Sequence, residues 1–274
     1  MKNNILFYGS CQNYHLYEND LYGRSFLKES LNDFNVTAIR CYDTDISESD
    51  FNEIVKNSDC IITLPISENY RDKNYLSFKY ILENVKETCK IIVFAPLDFD
   101  FYFFDQINSF YHNQQLLTQP STFHFKTLFD YFRNGKSIKN FLDECFYNEN
   151  FKNSEDLELI LNNCLSETKK REDLALNLMS NRDNSYLIPM RQFFMDKHRN
   201  FMLHYTHNHP TSVTFVYMAE YILNIIGMDT DKIDRQTDPF GHCIEIYGHK
   251  QSYPLYSCIK KHLNFDTYDY KSCF

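Results

Sequence analysis

With 274 residues and 43% hydrophobic side chains, the chain is long enough to bury a large core, which excludes a disordered or fibrous class. Its formal net charge of -9 excludes a surface built to coat nucleic acid or anionic lipid, while leaving room for a local basic pocket. No apolar run approaches the roughly 18 residues of a bilayer span, and nine scattered cysteines with no Cys-x-x-Cys pair read as reduced thiols, not a disulfide or zinc framework.

The first predicted element is a strand at Ile5–Tyr8, which runs straight into Gly9-Ser10-Cys11-Gln12 and a helix-competent stretch. Because this start leads into a strand and not into a signal peptide, a soluble cytoplasmic protein is expected. In an open α/β sheet, ligands bind outside the carboxyl ends of the strands, so this turn is where chemistry is expected. Gly9 permits a sharp turn, and Cys11 reads either as a nucleophile at a pocket rim or as a structural thiol.

Further strands are predicted at Val36–Cys41, Cys60–Leu64 and Ile91–Ala95. Between them, Ser47-x-x-Asp50 reads as a capped helix start, and Tyr75, Phe78, Ile81, Leu82 and Val85 fall at amphipathic helical spacing. Past the third strand, Ser67, Asn69, Tyr70 and Arg71 are predicted to face the same rim as Cys11. There Asn69 offers an amide to an oxyanion, and Arg71 a fork for a phosphate. The aromatic stretch Asp98–Asp105 reads as buried packing more than as a pocket-lining loop.

Beyond about residue 120 helical spacing dominates. Leu157, Ile160, Leu161, Cys164 and Leu165 continue into Leu174, Leu176 and Leu178, with Lys169–Arg171 read as a solvated face. Phe201–Thr211 then delivers His204, His207 and His209 ahead of a helix over Thr211–Ile226, with Pro210 suited to its first turn and Gly227 to its C-cap. His-x-x-His-x-His has nitrogens for a metal, but no carboxylate or cysteine lies close by. No metal site is expected, and one histidine as general base is the more economical use. The fold class is therefore α/β, an open, mostly parallel three-layer sheet with flanking helices of flavodoxin-like kind. Residues 1–118 form the sheet half and 119–274 a mainly helical half packed on it. The 1–274 span is expected to act as one compact domain, with a further enzyme domain downstream as an open expectation.

These segments, in this order, resemble the WcbI-like polysaccharide biosynthesis enzymes. The resemblance rests on Gly9–Gln12, where the family has Gly-Asn-Cys-Gln, and on Pro65–Arg71, Arg171-Glu172, Asn208–Thr211 and Ser252–Leu263. The chain departs from the pattern at Ser10, at Leu64 where a Gln is common, and at Cys258. The resemblance implies a fold related to the SGNH hydrolases and acetyl-coenzyme A as acyl donor. It also implies a sugar or nucleotide-sugar acceptor for an O- or N-acetyl transfer in glycan biosynthesis. It puts Cys11 and His209 at the catalytic positions and Gly9, Ser10, Gln12, Asn69, Arg71 and His207 around the cofactor. Two chemistries are open: His209 activating the acceptor for direct attack, or Cys11 carrying the acyl group first. Direct attack is the simpler, since moving an acyl group from one thiol to another gains little. A carbohydrate acyl-esterase and a non-catalytic interaction module are the rival readings.

Overall fold

The computed structural model describes residues 2–20, 23–42, 45–107, 109–112, 115–118, 124–206, 208–237 and 255–263. The four apolar runs form parallel strands β1 (Asn4–Gly9), β2 (Asn35–Arg40), β3 (Cys60–Thr63) and β4 (Lys90–Val93). Ile5 to Tyr8 on β1 and Ile61, Ile62, Ile91, Ile92 and Val93 on its neighbours are buried, as continuous apolar strands covered on both faces require. Each such side chain is worth about 1.5–3 kcal/mol on burial. The single polar atom of Tyr8 is satisfied by donating its hydroxyl to the Leu76 carbonyl at 2.8 Å.

The sheet is not confined to the first 118 residues. Ser185–Leu187, a three-residue run too short to show alternation, adds parallel to β4 as β5. The spatial order is β2-β1-β3-β4-β5. The connection leaving β1 runs to one side and the next crosses back to the other. A crevice therefore opens at the carboxyl ends of β1 and β3, the switch point of a doubly wound sheet.

The helices that position the site are α1 (Cys11–Tyr17), α2 (Glu48–Asn57), α3 (Phe78–Asn84), α4 (Lys126–Arg133), α5 (Ser154–Met179), α6 (Met190–Lys197), α7 (Ser212–Ile226) and α8 (Ser257–Leu263). Two departures from the sequence reading have local causes. The helix expected from Tyr75 starts at Phe78, because the Ser77 hydroxyl accepts the Tyr80 amide and caps α3 there, leaving Tyr75 in a 3₁₀ turn. Pro210 does not open α7. It pairs with His204 in a two-stranded ribbon, β6 (His204–Thr206) with β7 (His209–Pro210), and the helix begins after Thr211. At the other end Gly227 adopts φ 86° and its amide reaches the Leu223 carbonyl at 2.8 Å, as a C-cap glycine does.

Lys169 and Lys170 form the predicted solvated face of α5, paired with Asp173 and Glu167. Arg171 leaves that face and turns inward to Asp98 at 2.6 Å and the Pro96 carbonyl at 3.3 Å. The Asp98–Asp105 stretch divides between two roles: Phe99, Phe101, Tyr102 and Phe103 are core, whereas its acidic residues face outward or into a cavity. Among the described residues, no helix is long and apolar enough to cross a membrane.

Candidate active site at the switch point

The turn after β1 is a tight fit. A Cβ on Gly9, whose φ is +154°, would come within 2.8 Å of Asn13 Cγ and 2.9 Å of Leu64 Cδ2. Only glycine lets β1 and α1 approach this closely. Ser10 is the N-cap of α1: its hydroxyl accepts the Gln12 amide at 3.2 Å. Its side chain is thereby engaged in holding the turn.

Cys11 follows, half-buried. The backbone amides of Gln12 and Cys11 and the Tyr42 side chain hydrogen-bond toward its sulfur, and the Arg40 charge favours a thiolate. Burial outweighs all of these and raises the thiol pKa. Burial thus favours the protonated thiol, with backbone amides and the Tyr42 hydroxyl around its sulfur. Alkylation of the Cys11 peptide by iodoacetamide, followed by mass spectrometry, is expected to be slow at neutral pH and to rise with a midpoint above the ordinary thiol value of about 8.5. A midpoint at or below neutrality would show a stabilised thiolate instead.

Gln12 does the joining. Its side-chain NH2 donates to the Leu97 carbonyl at 3.1 Å and to the Asn208 carbonyl at 3.0 Å, and its oxygen accepts the Leu97 amide at 3.1 Å. The carboxamide is 5% exposed as part of its residue and satisfied on both sides, so the residue beside Cys11 grips the residue beside His209. Asn208 is steadied further by the Thr206 hydroxyl at 3.2 Å. His209 is half-buried at the end of the β6–β7 ribbon.

The three histidines separate by environment. His204 is fully buried, stacked on Phe99 at 5.8 Å and edge-on to Phe194 at 5.5 Å. It belongs to the aromatic core. His207 lies outside the described residues. Among the described residues, no group of three or more His, Cys, Asp or Glu side chains is arranged to hold a metal ion.

The loop after β3 reaches the rim through β2. Arg71 and Asp72 are consecutive left-handed residues, φ 53° and 56°, a conformation costing about 1–2 kcal/mol at each. That bend brings the exposed Arg71 guanidinium to donate to the Tyr42 carbonyl. Asn69 is exposed, and its carbonyl accepts the Asp72 amide at 3.4 Å.

Arg40 was missed from sequence. It ends β2, with its guanidinium 4.6 Å from the Tyr14 ring centre and 5.8 Å from that of Tyr42. The strand-end rule that singles out Cys11 applies equally to β2, so the signal was present. Cys11, Arg40, Tyr42 and Arg71 thus form one connected rim, cationic and aromatic, and the Asn208–His209 segment is tethered to Gln12, the residue after Cys11.

Residues 4–231 match the family model of the polysaccharide biosynthesis enzyme WcbI. No curated protein matches the chain. A solved structure of WcbI superposes with a TM-score of 0.72 at 16% identity, covering 97% of this chain and 81% of that one. That protein is described as the native form without a disulfide bond between coenzyme A and one of its cysteines.

Proposed function

The chain belongs to the WcbI family of polysaccharide biosynthesis enzymes, and from that membership we propose that it transfers an acetyl group from acetyl-coenzyme A to a hydroxyl or amine of a sugar acceptor. The observation that carries the proposal is the Gln12 grip on Asn208, which ties the Cys11 turn to the His209 segment. The rim suits the donor: Arg40 and Arg71 supply two guanidiniums for phosphate, and the Tyr14 and Tyr42 rings beside Arg40 supply flat faces for a base.

Bound acetyl-coenzyme A supplies the acyl group and a thiolate leaving group. His209 takes the proton from the acceptor as its oxygen or nitrogen attacks, and returns it to the departing sulfur. The Cys11 amide, already directed at the Cys11 sulfur, donates to the oxyanion. Raised by burial, the Cys11 thiol is a poor nucleophile at neutral pH, which favours direct attack over a covalent acyl-cysteine.

Coenzyme A at a hundredfold excess over its Kd is expected to stabilise the protein by about 2.7 kcal/mol, a rise in Tm of roughly 5–10 °C. Incubation with acetyl-coenzyme A and a panel of sugars and sugar nucleotides is expected to add one acetyl mass to an acceptor. No thermal shift, together with release of acyl groups from acylated glycans, would identify an esterase instead.

A further inference from the structure

A cavity of about 510 Å³ opens one residue beyond Leu97, at Asp98. Its walls come from the segment after β4, the start of α4 and the middle of α5. The volume suits a small ligand of one or two rings. None of Cys11, Arg40 or Arg71 lines it.

Its chemistry differs from that of the rim. Asp98 is spent on Arg171 at 2.6 Å. Asp105 accepts the Thr127 amide at 3.1 Å and hydroxyl at 2.7 Å, and the Tyr256 hydroxyl. Glu167 is paired with Lys170, and among the described residues the remaining charges on the wall, Asp100 and Asp105 with Lys126 and Lys152, are two of each sign. A polyanion such as the nucleotide end of coenzyme A finds no net field to hold it there. An uncharged ligand with many hydroxyls finds both partners it needs: carboxylates to accept, and ammonium groups and the Asn163 amide to donate. Half-buried Phe104 and Phe151, their rings 6.5 Å apart and 28° from parallel, add apolar surface for the C–H face of a sugar ring.

We infer that this cavity binds one uncharged, polyhydroxylated sugar ring of a glycan acceptor, a subsite apart from the ring on which His209 acts, while the donor occupies the rim of Cys11, Arg40 and Arg71. The inference rests on the acyltransferase reading for its word acceptor, but not for its binding chemistry. Leu97 links the two places, because Gln12 holds it from the Cys11 side while Pro96 and Asp98, on either side of it, are held by Arg171.

Saturation-transfer NMR on the whole chain, without coenzyme A, tests it. The probes are uncharged hexoses, deoxyhexoses and N-acetylhexosamines, each at about 50 mM, a range that captures millimolar affinities. At least one is expected to receive saturation. Asp100→Asn removes the charge and turns one acceptor oxygen into a donor, and Asn163→Trp fills the cavity from an exposed position of α5. Each is expected to weaken that sugar about tenfold and to leave the coenzyme A thermal shift unchanged. The inference is overturned if no sugar receives saturation, if the signal is unchanged in both variants, or if Asn163→Trp abolishes the coenzyme A shift, which would make the cavity the donor's. Should coenzyme A fail to stabilise the wild-type protein, the donor reading falls while the sugar arm still reads.

Discussion

Replacing Gln12 by Ala is expected to destabilise the fold by about 3–5 kcal/mol and to lower Tm by roughly 10 °C. The carboxamide meets three backbone groups, the Leu97 amide and carbonyl and the Asn208 carbonyl. Truncation strands them away from water, and each stranded group costs about 1–3 kcal/mol. Gln12→Glu is no rescue, because a carboxylate keeps the bond to the Leu97 amide but faces two carbonyls with no proton to offer. Urea unfolding at unchanged m-value reads the loss. A change below about 1 kcal/mol would mean that water replaces the side chain and that Gln12 does not organise the site.

His209→Ala is expected to cost about 10²- to 10⁴-fold in acetyl transfer, the usual worth of a positioned general base. Coenzyme A stabilisation should be retained, since the proposed donor contacts lie on Arg40, Arg71 and the Cys11 turn. Cys11→Ala should keep turnover within a few-fold. The pair separates the two chemistries: loss in Cys11→Ala with retention in His209→Ala would invert the assignment and make the thiol the acyl carrier. Measuring kcat by release of free coenzyme A thiol, in the presence of the acceptor found by mass gain, gives both numbers in one assay.

Much of this architecture was legible beforehand because the signals were local. Short apolar or β-branched runs between helical segments defined β1 to β4, and the strand-end rule pointed at Cys11 and the Asn69–Arg71 loop. Helical spacing over Thr211–Ile226, stopped by Gly227, defined α7 to within one residue of its observed start at Ser212. What escaped was set by distant partners. Gln12 read as a pocket residue, yet its side chain is committed to backbone groups 85 and 196 positions away, and no local pattern announces such a bond. Arg171 sat in a basic run that looked solvated until Asp98 and Pro96 were brought beside it. β5 has three residues, shorter than any period that could reveal it.

That short strand has a consequence for synthesis at the ribosome. Ile91, Ile92 and Val93 on β4 are wholly buried, and their partners Ser185–Leu187 are made roughly ninety residues later. At about 5–20 residues per second, β4 waits about 5–20 s as an open apolar edge, the kind that recruits strands from neighbouring chains. High-level expression should therefore strain this protein during translation more than after it, and slower synthesis at low temperature would prolong the hazard as well as gentle it.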